Sequence, residues 1–160
     1  SLRAPGRASK WVIAGAWACA FTGGALHADL MELSLETFPG TSENRHDVLK
    51  YFLKLFDEFS IGESDKESKD YGVSGIIAHK GGAMWDYDTR LALTPIPAGE
   101  VWCRGSGMEL AQGAATVLMD QGAPLESCVR KAVEVAIRLD CDCPGEAIVE
   151  AFPNRHERVS

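Results

Sequence analysis

Tyr71-Gly72-Val73-Ser74-Gly75-Ile76-Ile77-Ala78-His79-Lys80-Gly81-Gly82-Ala83-Met84-Trp85-Asp86-Tyr87 is the stretch on which the fold turns. Strand formers run as far as His79, Lys80-Gly81-Gly82 supplies a turn, and Ala83 to Tyr87 returns as a second strand, the pattern of a β-hairpin. Leu91-Ala92-Leu93-Thr94-Pro95-Ile96-Pro97 is extended. Its prolines place it at a sheet edge or bend, because proline has no N–H to give a ladder. Glu100-Val101-Trp102-Cys103-Arg104 reads as one more short strand, running into Gly105-Ser106-Gly107.

Helix pairs lie outward in both directions. Upstream, Leu26, Leu30, Leu33 and Phe38 recur at helical spacing and are stopped by Pro39-Gly40. Thr41 or Ser42 is expected to cap the next helix. Its apolar face is Val48, Leu49, Phe52, Phe56 and Phe59, with Lys50, Lys54, Asp57 and Glu58 outside. Between that helix and the hairpin, Ile61 to Asp70 is charged and reads as an exposed loop. Downstream, Met108, Ala111, Ala114, Ala115 and Leu118 line a helix ended by Gln121-Gly122. Pro124 then opens another, with the stripe Leu125, Cys128, Val129, Ala132, Val133, Ala136 and Leu139. At the two ends, Trp11 to Trp17 reads as a buried strand and Gly145 to Phe152 as a last one. The order strand, two helices, antiparallel strands, two helices, strand argues an α+β fold with helices on the outer faces of antiparallel sheets. One domain over residues 10–152 is expected, with an extension at 1–9 and a polar tail at 153–160.

A chain of 160 residues with 46% apolar and 24% charged residues has the make-up of one folded domain. The net charge of -7 is spread along the chain and no Lys/Arg cluster appears, which argues against nucleic acid as a partner. The longest apolar run, Trp11 to Phe21, is shorter than the roughly 20 residues of a membrane span, so no membrane partner is expected. Five cysteines, an odd number, suit reduced thiols and a cytoplasmic location better than a disulfide framework. Cys141-Asp142-Cys143 lacks the second ligand pair that zinc wants, and His27, His46, His79 and His156 lie apart in sequence, so neither a metal nor another cofactor is expected. Cys19 has no neighbouring His or Lys to activate it and reads as a buried structural thiol. Trp85, Tyr87 and Trp102 are expected to pack between layers or at a subunit contact.

Three local stretches resemble the proteasome β-subunit and HslV family. Val12-Ile13-Ala14-Gly15 is similar to the strand end that precedes the family's first helix. Gly105-Ser106-Gly107, opening an alanine-rich helix, resembles the family's G-S-G. Ala132 to Asp140, a loop, and Gly145 with the strand after it resemble the family's closing helix, acidic residue and final strand. The compact HslV-like proteins of bacteria and phages are the nearest in character. The resemblance implies a four-layer αββα sandwich of two antiparallel sheets covered by helix pairs. It also implies a homo-oligomeric ring and hydrolysis of peptide bonds by an N-terminal threonine. In that chemistry the free α-amine, or a water on it, takes the proton of the hydroxyl on the same residue, while a backbone N–H stabilises the oxyanion. A partner unfoldase is implied by the family alone.

Carried over residue by residue, the resemblance makes Gly15 the oxyanion-hole glycine, where the plainer reading is a glycine needed for close backbone approach. Ser106 becomes the serine that orders the nucleophile's amine, and it also suits an N-cap for the helix from Gly107. Asp140 becomes the acidic residue, with Asp142 as its rival in the same loop. The catalytic threonine and lysine find no match. Counting back from Val12 places the lysine near Arg3, whose guanidinium stays charged. Lys10 lies too close to the strand, and Ser1 lacks the hairpin that should separate nucleophile from lysine. The chain is thus expected to begin after the nucleophile segment and to be inactive as it stands. The alternative is a non-catalytic ring-forming or assembly subunit on the same fold.

Overall fold

The computed structural model describes residues 11–23, 25–59, 70–142, 145–149 and 151–152. They fall into two compact units, one within Ser1–Ala98 and one within Gly99–Ser160. The expected extension at 1–9, Lys10, the body of the charged loop after Ile61, Cys143 and the tail at 153–160 lie outside the described residues.

The first unit holds one antiparallel sheet of five strands in the order β1-β2-β3-β4-β5. These are β1 Trp11–Ala14, β2 Trp17–Thr22, β3 Ser74–His79, β4 Met84–Tyr87 and β5 Leu93–Ile96. The apolar run from Trp11 to Trp17, expected as one strand, is two. Gly15 takes φ +58, and Ala14 pairs with Trp17 across the two-residue turn Gly15–Ala16. Positive φ on a glycine at the first central position is the signature of a type II′ hairpin turn, whose twist matches that of the strands. The stretch Lys80-Gly81-Gly82 turns as expected, Gly82 N–H donating to His79 O at 2.9 Å. Strand β5, with Pro95, lies at the sheet edge as its prolines require.

In β2 the side chains alternate. Trp17, Cys19 and Phe21 are buried, while Ala18, Ala20 and Thr22 are not, the period of two that a sheet imposes. One row across the sheet runs Val12, Cys19, Ile77, Trp85, and the next runs Phe21, Gly75, Tyr87, Leu93. Gly75 has no Cβ because there is no room for one. A Cβ there would sit 1.9 Å from Ala20 O and 2.6 Å from the Tyr87 hydroxyl. That hydroxyl donates to Ala20 O at 3.1 Å.

Helices α1 Ala25–Leu33 and α2 Arg45–Glu58 complete this unit, joined through a 3-10 turn at Leu35–Thr37. Val48, Phe52, Leu55 and Phe56 are the buried stripe of α2, at the i, i+4, i+7, i+8 spacing of one helix face. Phe52 stacks on Tyr87, with ring centroids 5.7 Å apart, and on Phe56 at 5.9 Å. These side chains share one apolar core with Trp17, Cys19, Phe21 and Ile77 of the sheet. The α2 cap is Asn44 rather than Thr41 or Ser42, its Oδ1 accepting from His46 N–H at 3.0 Å. Ser42 instead accepts from Asn44 N–H at 3.1 Å and donates to the Asp47 carboxylate. Asn44→Ala is expected to lower the unfolding free energy by about 1 kcal/mol, read by urea denaturation, because an α2 N–H loses its acceptor.

The end of the sheet is stitched to the segment before α2. Ala16 N–H donates to Gly40 O at 2.6 Å, and Ala16 O accepts from Lys80 N–H at 2.9 Å. The indole Nε1 of Trp17 donates to Ser42 O at 2.6 Å. Three backbone reversals, at residues 15–16, 39–43 and 80–82, are thereby tied together.

The second unit is a helical hairpin of α3 Met108–Asp120 and α4 Leu125–Leu139. The short link makes the two antiparallel. Ala111, Ala115, Ala132 and Ala136 form their shared core, with Val101, Cys103 and Ala114 against it. Small side chains let the two backbones come close, as the alanine content anticipates. The expected strands at Glu100–Arg104 and Gly145–Phe152 are not formed: residues 101–104 and 145–149 are irregular. A strand exists only through a partner ladder, and these segments have none among the described residues. The expected second sheet is likewise not found among them. The described residues form an α+β fold with one antiparallel sheet and two helix pairs.

Candidate functional site

Strand β2 runs into α1, and the junction between them is the strand end at Thr22, followed by Gly23. Val12-Ile13-Ala14-Gly15, expected at that junction, closes β1 and turns back. The chain reverses at Gly15, and β2 makes the approach to the helix. Gly15 is instead a contact residue. A Cβ there would stand 2.1 Å from Gly40 O, and one on Gly40 would stand 2.8 Å from Ala14 O. This close approach of two backbones is what the plainer reading of Gly15 anticipates.

Around Gly23 the space is small. A Cβ would come within 3.1 Å of His27 Nδ1 and 3.4 Å of Val73 Cγ2. His27 Nε2 lies 2.8 Å from Tyr71 O. A carbonyl only accepts, so Nε2 carries the proton and donates. The ring is held edge-on to Phe56 with centroids 5.6 Å apart. The W-A-C-A-F-T alternation of β2 is the sequence signal that locates this junction.

Ser106 and Asp140 both belong to the second unit. Ser106 is exposed in the turn before α3, where Gly105 takes φ +109. It does not cap the helix: the N-cap is Gly107, without a side-chain hydrogen bond. Asp140 is the C-cap of α4. Because α3 and α4 are antiparallel, the N-terminus of one and the C-terminus of the other share one end of the hairpin, and Ser106 and Asp140 share it with them. Asp140 Oδ1 accepts from Asp142 N–H at 2.9 Å. Its Oδ2 is buried and has no hydrogen-bond partner among the described residues. An orphaned buried acceptor costs about 1–3 kcal/mol. The ligand atoms of Asp140, Cys141 and Asp142 lie within 4.8 Å of one another. The two aspartates there already engage each other as an ordinary turn bond.

Three thiols of the described residues are fully or partly buried. Cys19 is fully buried, and burial raises its thiol well above the ordinary range. Cys128 is fully buried as well and donates to Ala123 O at 3.4 Å. Burial also raises the Cys103 thiol. Tyr87 is pushed up first by burial and then by Cys19 and Asp86. Trp85 and Tyr87 pack in the first unit as expected, whereas Trp102 is 40% exposed. It lines an open, largely apolar groove of about 580 Å³ with Cys103, Met108, Gln112, Thr116 and Val117. Among the described residues no helix is long and apolar enough to cross a membrane.

No family model and no curated protein matches the sequence. Solved structures do match. BPH from Thiobacillus denitrificans in complex with epoxomicin superposes with a TM-score of 0.65 at 15% identity, over 82% of this chain and 72% of that one. A second structure of Thiobacillus denitrificans BPH gives 0.61 at 17% identity and the same coverage. Eukaryotic HslV from Trypanosoma brucei gives 0.55 at 23% identity, over 82% of this chain and 74% of that one. At these identities the likeness establishes the fold: the chain has the fold of HslV-like proteins.

Proposed function

We propose that this HslV-like fold serves a peptidase subunit of the N-terminal-nucleophile type, assembling with copies of itself. What supports the reading is the shared fold with BPH over 82% of the chain, together with the ordered matches at Gly105-Ser106-Gly107 and Ala132 to Asp140. In this reading the oxyanion donor belongs at the strand end that leads into the first helix. That role suits Gly23, at the end of β2, better than Gly15 in its hairpin turn. Ser106 would order the amine of the nucleophile. The Oδ2 of Asp140, without a partner among the described residues, would accept a hydrogen bond from the same amine or from Ser106, which would offset its desolvation. The nucleophile and the lysine of the family are not matched by any of the 160 residues.

Epoxomicin, the ligand of the BPH complex, offers a direct test. The isolated 160-residue chain is expected to leave peptide substrates intact and to retain no epoxomicin. The native protein is expected to cleave peptides and to retain the compound, read by intact-mass measurement. A native protein that does neither would remove the catalytic reading and leave the non-catalytic assembly subunit.

A further inference from the structure

His79 closes β3 and faces the stitched end of the sheet with both ring nitrogens engaged. Nδ1 lies 3.0 Å from Gly81 N, and Nε2 lies 2.7 Å from Glu43 Oε2. A backbone N–H can only donate and a carboxylate can only accept. The two partners therefore fix the ring as the neutral Nε2–H tautomer, with the Nδ1 lone pair turned to Gly81. The ring is edge-on to Trp17, with centroids 4.9 Å apart, so it cannot swing inward without displacing a fully buried indole.

We infer that His79 is a proton-linked latch: when Nδ1 takes a proton, the β3–β4 turn releases Gly81 while the ring stays tied to Glu43. The proton lands on the only lone pair available, so Nδ1–H would point at Gly81 N–H, and two donors repel. Nε2–H keeps its acceptor and gains an ion pair with the Glu43 carboxylate. Among the described residues, the charged groups by the ring are Glu43, from the segment before α2, and Lys80, from the turn itself, whose Nζ is 3.9 Å from Glu43 Oε1. Arg45 at the start of α2 lies over the Trp85 ring, 5.2 Å from its centroid. Strand β2 contributes the uncharged indole of Trp17. Breaking the Gly81 bond frees the tip of a turn whose Lys80 N–H is bonded to Ala16 O.

The test follows one ring and one amide in the full 160-residue chain. Nitrogen NMR of the His79 ring gives its tautomer and protonation, and hydrogen exchange gives the protection factor of Gly81 N–H, from about pH 8 to about pH 5. The expected result is the Nε2–H tautomer at the upper end and a roughly three- to tenfold fall in Gly81 protection, one hydrogen bond's worth, in step with ring protonation. His79→Asn keeps an acceptor oxygen near the Nδ1 position and does not titrate, so it is expected to hold Gly81 protected throughout. An Nδ1–H tautomer at high pH, unchanged protection as the ring protonates, or the same fall in the Asn variant would each overturn the latch.

Discussion

Gly75→Ala is expected to lower the unfolding free energy by at least about 3 kcal/mol, the range of severe overpacking. The added carbon would stand 1.9 Å from Ala20 O and 2.6 Å from the Tyr87 hydroxyl, and the backbone oxygen cannot step aside without opening the β2–β3 ladder. Tyr87 cannot yield either: it is stacked on Phe52 and its hydroxyl is bound to Ala20 O. A domain holds only about 5–15 kcal/mol in all, so the variant should unfold at a much lower urea concentration, followed by tryptophan emission, to which the buried Trp17 contributes. Gly113→Ala is the internal comparison. It lies within α3, and nothing stands within 4 Å of the place its methyl would take, so it should be neutral or stabilise by up to about 1 kcal/mol. Equal midpoints for the two variants would refute the steric account of β3.

Gly15→Ala should cost about 2–4 kcal/mol through two separate causes. The residue adopts φ +58, which an L side chain rarely accepts. Its new methyl would also stand 2.1 Å from Gly40 O, the oxygen that receives Ala16 N–H. For Gly40→Ala the nearest atom met is the Ala14 backbone oxygen, 2.8 Å away, and the cost should be less. Thermal unfolding of the two variants separates the contributions. A Gly15→Ala protein as stable as the parent would mean that the two backbones do not meet as described.

Much of the architecture is legible in the residues alone. The aromatic stripe of α2, the alanine-lined pair α3–α4, the hairpin at Lys80 to Gly82 and the proline-bearing edge β5 each carry a strong local signal: helical spacing, small residues in register, a glycine turn, a missing donor. The β1–β2 hairpin is harder to see. Gly15-Ala16 is a weaker turn signal than Asn-Gly, and two of the three outward positions of β2 are alanines, so little polarity marks the alternation. Read as a single strand, the run also carries the oxyanion assignment to Gly15, on the strand that turns back and not on the one that enters α1. Glu100–Arg104 and Gly145–Phe152 have strand composition, yet composition does not supply a neighbour to pair with. The pairing of His79 with Glu43, separated by 36 residues, is likewise invisible until the loops are brought together.

Ala16 spends both of its peptide groups on bonds to distant segments, Gly40 on one side and Lys80 on the other. Three reversals that would otherwise be independent points of attack for a protease are therefore coupled through one residue. Limited digestion should slow at all three while both Ala16 bonds hold, and a cut that breaks them should expose the neighbouring reversals to further cleavage.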